Sequence, residues 1–306
     1  MKGQIIKLLR AENDVVSGET LSSHLGISRV SIWKHIKKLK DVGYDIQASP
    51  KGYRLINDPD TLYPWEFGDR ESKVHYFDAV TSTMDVAGKL ARNDSPHFTV
   101  VIAGRQTKGR GRLKRTWLSS AGGLYFTIIL RPQIPPALSA RINFAASMIL
   151  ARVLHNMFHI DARVKWPNDV LVNERKVAGL LSEMEAETDR VSFINIGMGI
   201  NINNDPTRRE PMAVSLKKIM GRNISRKQLL SEFLDEFENR LNNDTLDHVI
   251  SEWKRYSVTT GRQVKIVTTR EEYHGIALDV DNTGALMLKL EDGSIKKIIY
   301  GDCFHI

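Results

Sequence analysis

Between Asp94 and Asp161 this chain has no acidic residue, yet Arg105, Lys108, Arg110, Arg112, Lys114 and Arg115 crowd into the stretch 104–117. Like charges that dense repel one another unless a polyanion shares them, so the stretch cannot sit in a core. Gly104, Gly109 and Gly111 interrupt it and let the backbone bend closely around such an anion. Apolar runs at 98–103 and 123–130 flank it and read as strands. The fold must therefore hang a cationic loop from a rigid sheet, as enzymes do when a scaffold aims a loop. A solvated basic surface or a nucleic-acid patch is the plainer reading of a basic run. Trp117, which ends the stretch with a ring face for stacking, and the tether to a sheet favour a phosphate-binding loop.

The 306 residues suit two or three domains. A net charge of +8 calls for an anionic partner without naming it. Its distribution says more, because residues 1–58 hold ten Lys/Arg against six Asp/Glu, a local +4. Two separate basic sites suggest two separate anions. A single cysteine, Cys303, allows no internal disulfide. Charges inside the apolar amino terminus argue against a signal peptide, and no run is expected to reach the ~20 apolar residues of a membrane span. A cytoplasmic location and no membrane partner are expected.

Residues 2–12, 17–25 and 29–42 read as three helices, with Gly26-Ile27 as a tight break and Ser28 as a cap. This is the helix-turn-helix pattern. In the third helix Val30, Trp33, Ile36 and Leu39 are expected to be buried, which leaves Ser28, Arg29, Ser31, Lys34, His35 and Lys38 outward to meet base edges and phosphates. Two alternating runs, 43–47 and 52–56, form a hairpin wing with Lys51 and Arg54 toward the DNA backbone. A small helical protein-interaction domain is the alternative. Asn57-Asp-Pro-Asp60 marks a boundary.

Further on, strands are expected at 74–80 and 192–202, a helix from Met84 to Ala91 and a long one from Ala137 to Met157. Lys165-Trp-Pro-Asn-Asp169 places a turn between strands, since Pro167 holds Trp166 extended. Lys165, Asn168, Asp169 and Lys176 then gather at strand ends. Taken singly they are ordinary turn and edge residues; beside a phosphate loop they suggest a Mg²⁺-nucleotide site. Gly197 and Gly199 allow close approach by a ligand or another backbone. After helices at 226–241 and 246–256, short strands at 263–268, 272–280, 285–290 and 295–300 close the chain.

Gly-Arg-Gly-Arg at 109–112, Lys-Trp-Pro-Asn-Asp at 165–169, Arg-Lys-Val-Ala-Gly at 175–179 and Gly-Met-Gly-Ile-Asn at 197–201 occur together and in order. With the helix-turn-helix in front, the chain resembles, over its whole length, the bacterial family of bifunctional biotin protein ligases and biotin operon repressors. The resemblance implies an α+β protein in three parts: a winged helix at 1–60, a central mixed α/β domain of the class II synthetase-like biotin/lipoate ligase type at 61–258, and a small SH3-like barrel at 259–306. It implies ATP, Mg²⁺ and biotin as the small molecules, with biotinyl-5′-AMP as intermediate and corepressor. The implied partners are a lysine of a biotin carboxyl carrier protein, the operator DNA of biotin genes, and a second copy of the chain when the adenylate is bound.

Residue by residue, the resemblance puts Ser82, Thr83, Met84, Gln106, Arg110, Gly111, Arg112, Lys176 and Gly179 around biotin. Arg112, Trp117, Lys165, Asn168 and Asn201 would bind the nucleotide, Trp117 by stacking on adenine, and Asp169 the metal. Arg110, Arg112 and Lys176 would be catalytic, because a carboxylate attacking an α-phosphate brings two anions together. Met84 stands where the family often has Asn, and Lys114 where some members have glycine. A biotin-adenylate sensor without catalysis would need fewer neutralising cations. A lipoate-type ligase would leave the helix-turn-helix without a purpose.

Overall fold

The computed structural model describes residues 1–12, 14–208, 210–243 and 246–306. The chain divides into two compact units, Met1–Ser72 and Lys73–Ile306.

The first unit holds α1 (Lys2–Glu12), α2 (Gly18–Leu25), α3 (Arg29–Asp41) and the hairpin β1 (Asp45–Ser49) and β2 (Gly52–Asn57). Ser17 and Ser28 cap α2 and α3 through hydroxyls that accept from Thr20 and Ser31 backbone N–H groups. Gly26 takes the left-handed conformation, φ 64°, that ends α2. Ile5, Ile6, Leu9, Leu21, Ile32, Ile36, Leu39 and Ile46 fill the core. The expected burial of Val30 and Trp33 is wrong: they are 64% and 53% exposed, and Ile32 is buried instead. A 3-3-3 spacing drifts off the 3.6-residue helical repeat, whereas Ile32, Ile36 and Leu39 follow it. The outward face therefore carries Val30 and Trp33 among Arg29, Lys34 and Lys38. His35 is half-buried rather than outward, with its Nδ1 lacking a partner, and burial lowers its pKa.

The expected boundary at residue 60 also moves. The 3₁₀ segment Pro64–Lys73 begins within the first unit. There Trp65 Nε1 donates to Tyr44 Oη (3.1 Å), the Tyr44 hydroxyl donates to Glu66, and Arg10 bridges Asp58 (2.7 Å) and Glu66 (2.8 Å).

The second unit is built on β3 (Val74–Val80), α4 (Thr83–Arg92), β4 (Thr99–Gln106), β5 (Leu124–Leu130), α5 (Ser139–Phe158), β6 (Ala162–Lys165), β7 (Asp169–Val172), β8 (Arg175–Glu187) and β9 (Arg190–Ile200). The sheet order is β3-β4-β5-β9-β8-β7-β6, with β3 and β4 parallel and the other pairs antiparallel. Side chains alternate across it. Val101, Ile129 and Phe193 pack under α4 through Ala87 and Ala91. On the other face Phe126 meets Phe233 of α7 (Arg226–Asn243), after a short α6 (Leu216–Met220). Phe144 of α5 stands edge-on to Trp253 of α8 (Val249–Lys254). The stretch Pro136–Phe158, which contains α5, is long and apolar enough by composition to cross a membrane, against expectation. Most of it is buried, as the core helix of this unit.

A second sheet, β10 (Gln263–Val267), β11 (Glu272–Val280), β12 (Leu286–Lys289), β13 (Ile295–Ile298) and β14 (Asp302–His305), has the order β13-β12-β11-β10-β14. β14 was not expected; four residues give too short a run to show alternation. Trp166 ties this sheet to the first. It is 1% exposed, its backbone N–H donates to Thr259 Oγ1 (2.9 Å) and its indole N–H to the Gly284 carbonyl (3.0 Å).

Trp166→Phe orphans that carbonyl in the core, at a cost of about 1–3 kcal/mol. The urea midpoint is expected to fall at unchanged slope; an unchanged midpoint contradicts the staple.

Candidate active site

Two strands supply a bare floor. Gly179 of β8 pairs with Gly199 of β9, and Gly197 lies one rung further along the same face. A methyl group on Gly199 would come within 2.3 Å of the Trp117 indole, and one on Gly179 within 2.9 Å of it. A methyl on Gly197 would meet Met84 Sδ at 2.6 Å. Trp117 thus lies flat on the Gly179/Gly199 rung and Met84 on Gly197. The Trp117 indole N–H is buried without a hydrogen-bond partner.

The basic segment closes on itself around this ring. Trp117 N–H donates to Gly109 O (2.9 Å), Gly111 N–H to Arg115 O (2.8 Å) and Arg115 N–H to Arg112 O (2.9 Å). Lys114 has φ 61°, a conformation that glycine adopts without cost, which fits the glycine expected there in some relatives.

The cations are less alone than their sequence neighbourhood implies. Arg110 reaches Asp85 of α4 (2.9 Å) and Glu183 of β8. Arg115 meets Asp302 of β14 at 2.9 Å, with the Phe304 ring 5.4 Å from its guanidinium. Arg112 donates to Asn168 Oδ1 (3.2 Å), and the Asn168 amide in turn donates to Leu180 O. Burial lowers the Arg112 pKa from its ordinary value, with Asp302 and Asp169 opposing. A half-buried guanidinium with one neutral acceptor is suited to an anion.

Lys176 completes the cluster. Its Nζ is 2.7 Å from Asp169 Oδ1 and 5.3 Å from the Trp117 ring centre, where the ammonium meets the negative π-face. Lys165, paired with Asp169 across β6 and β7, points its Nζ at the Phe304 ring, 5.9 Å away. Among the described residues no group of three or more His, Cys, Asp or Glu could cage a metal. One carboxylate, Asp169, is nevertheless enough for Mg²⁺, which takes one or two carboxylates together with phosphate oxygens and water.

At the head of α4, Ser82 is fully buried, and its hydroxyl caps the helix at Met84 N–H (3.3 Å). Gln106 Oε1 accepts from Thr83 N–H (2.8 Å) and Thr83 Oγ1 (3.1 Å), while Thr127 Oγ1 donates to Thr83 Oγ1 (2.8 Å). Asn201 is 3% exposed, and its Oδ1 accepts from Asn204 Nδ2 at 2.9 Å. Sequence reasoning missed Asp85, Glu183, Asn204 and Asp302. Glu183 shares the face of Gly179 by strict alternation and could have been found; Asp302 lies about 190 residues from its partner and carries no local signal. Cys303 offers no nucleophile, since burial pushes its thiol up to about 12.

Residues 76–201 match the biotin/lipoate A/B protein ligase family, residues 2–54 an HTH domain, and residues 259–306 the biotin protein ligase C terminal domain. The bifunctional ligase/repressor BirA of Bacillus subtilis is 36% identical over 99% of this chain and 98% of its own length. That of Escherichia coli is 32% identical, over 98% and 95% respectively. A solved biotin protein ligase from Aquifex aeolicus in complex with biotin and ATP is similar at 27% identity and TM-score 0.63, covering 76% of this chain and 98% of that one.

Gly199→Ala is expected to lift the Trp117 indole off the sheet and into water. Tryptophan emission should shift to longer wavelength, and a Trp117→Phe background should abolish the shift. An unchanged spectrum contradicts the packing.

Proposed function

Because this chain belongs to the family of bifunctional biotin protein ligases and repressors, we propose how its own residues carry the reaction. The protein is an ATP-dependent ligase that joins biotin to a carrier protein, and its helix-turn-helix unit makes it a DNA-binding repressor.

A biotin carboxylate oxygen attacks the α-phosphorus of ATP, forming biotinyl-5′-AMP and releasing pyrophosphate. Two anions must meet, so the barrier is largely electrostatic. Lys176 and Arg112 neutralise the carboxylate and the α-phosphate, and Arg110 exchanges Asp85 and Glu183 for the substrate. Trp117 provides a face for adenine, with Lys165, Asn168 and Asn201 as further nucleotide contacts. Asp169 would hold Mg²⁺, which would supply charge neutralisation at the leaving pyrophosphate. Ser82, Thr83, Met84, Gln106, Gly111 and Gly179 line the biotin side. In the second step the amine of a carrier lysine attacks the anhydride carbonyl, expels AMP and forms the amide. The observation that carries this reading is the convergence of Lys176, Asp169, Trp117 and the Arg112–Asn168 pair on one glycine rung.

Ser28 at the cap of α3, Arg29, Ser31, Lys34 and Lys38 on the helix, and Lys51 and Arg54 on the wing would form the DNA-facing set, with His35 beneath them and the operator of biotin genes as target. Ordering of the 104–117 loop by the adenylate favours a homodimer whose paired winged helices bind the operator. The carrier competes for the dimer surface. A cytoplasmic location belongs to the same reading.

Transfer is tested with a biotin carboxyl carrier domain, ATP, Mg²⁺ and biotin. The wild-type chain should modify one lysine, detected by streptavidin blot and intact mass. Arg112→Gly should release biotinyl-5′-AMP into solution, and modify carrier and bystander lysines alike; unchanged retention of the intermediate contradicts the role of Arg112. Sedimentation at micromolar protein should show a larger species when biotin and ATP are added together. An unchanged sedimentation coefficient removes the adenylate-driven dimer.

A further inference from the structure

One rung beyond Gly197, Asn195 of β9 pairs with Glu183 of β8 and Ile129 of β5. Alternation puts its side chain on the same face as the glycine floor. It is 2% exposed, and its Oδ1 has no hydrogen-bond partner. Buried side-chain oxygens are nearly always paired, so such an acceptor calls for a donor.

Asn195 lines a groove of about 600 Å³ together with Met84, Gly88, Arg110 and Glu183. That groove adjoins the floor through Met84, whose sulfur lies over Gly197. The polar groups at the head of α4 are already engaged with one another: Thr83 with Gln106 and Thr127, Ser82 with its own helix. Unpaired groups remain at the two ends of the glycine track, an N–H donor on Trp117 over Gly199 and an acceptor on Asn195. Four strand residues separate those ends, roughly 13 Å. The nucleotide end is the Trp117 end, so the Asn195 end faces the head of the other substrate. A cyclic urea carries two N–H donors there.

We propose that Asn195 is a specificity-determining residue that accepts a hydrogen bond from a urea N–H of the biotin head, and that Met84 covers it until substrate enters. The proposal rests on the reading of this pocket as the biotin site. It gives the chain an acceptor on the strand, at a place where Met84 offers only a thioether. Met84 suits a cover, because three rotatable bonds let it move aside into the groove it already lines.

The test is calorimetric titration of biotin, and of biotin methylated on its urea nitrogens, into the full-length chain and into Asn195→Leu and Asn195→Asp. One lost hydrogen bond is worth about tenfold in affinity. Asn195→Leu should bind biotin about tenfold more weakly than wild type, with ATP affinity unchanged. Asn195→Asp, which keeps the acceptor, should recover most of the loss. Wild type should prefer biotin to the methylated analogue by about tenfold or more, and Asn195→Leu should lose that preference. Equal biotin affinity in wild type and a folded Asn195→Leu overturns the proposal. If Asn195→Leu does not fold, wild type binding the analogue as tightly as biotin overturns it instead. A wild-type chain that binds no biotin at all refutes the parent reading, which is a different result.

Discussion

The contact between Trp117 and the Gly179/Gly199 rung is the constraint on which the site depends. Only a strand pair without side chains lets an indole lie against the sheet, and a methyl at 2.3 Å leaves no room for adjustment. With the ring in place, the loop that carries it closes through Gly109, Gly111 and Arg115. Lys176 gains a π-face beside its carboxylate partner. Arg112 is brought to Asn168, which β8 itself holds through Leu180. The glycines are thus structural and chemical at once: they shape the floor and set the height at which the charged groups stand above it.

Charge is arranged so that substrate replaces protein. Arg110 spans Asp85 and Glu183, Lys176 meets Asp169, and Arg115 meets Asp302. These carboxylates come from α4, β7, β8 and β14, so Arg110 and Arg115 of the loop find in space the counter-charges that their sequence neighbourhood lacks. An exposed pair such as Arg110–Asp85 contributes little to stability, at most about 1 kcal/mol. It is therefore readily exchanged for a substrate carboxylate or phosphate. Arg112 differs, since burial weakens its hold on a proton and its one acceptor is a neutral amide. It is the cation that gains most from an arriving anion.

Much of this is legible in the sequence. The helix-turn-helix, the βαβ start through α4, the basic loop and the glycine pair on β9 all stand where local patterns put them. What was not readable depended on tertiary choice. In α3, by contrast, the 3.6-residue repeat itself favours Ile32, Ile36 and Leu39, so the outward turn of Val30 and Trp33 was legible in the spacing. The first domain is expected from sequence to end at residue 60, with the residues after it in the central domain, yet Trp65 and Glu66 meet Tyr44 in the first unit. Asp302 lies in a strand too short to announce itself, at the far end of the chain from the arginine it meets. The Tyr44 and Asp302 misses are long-range contacts that local composition does not encode.

The central claim is that these residues activate a carboxylate with ATP. Biotin-dependent exchange of labelled pyrophosphate into ATP, on the purified full-length chain with Mg²⁺, tests it without carrier or operator. The account predicts exchange that requires biotin and saturates with it. Biotin bound with no exchange would contradict the account and leave the pocket as that of a sensor rather than a ligase.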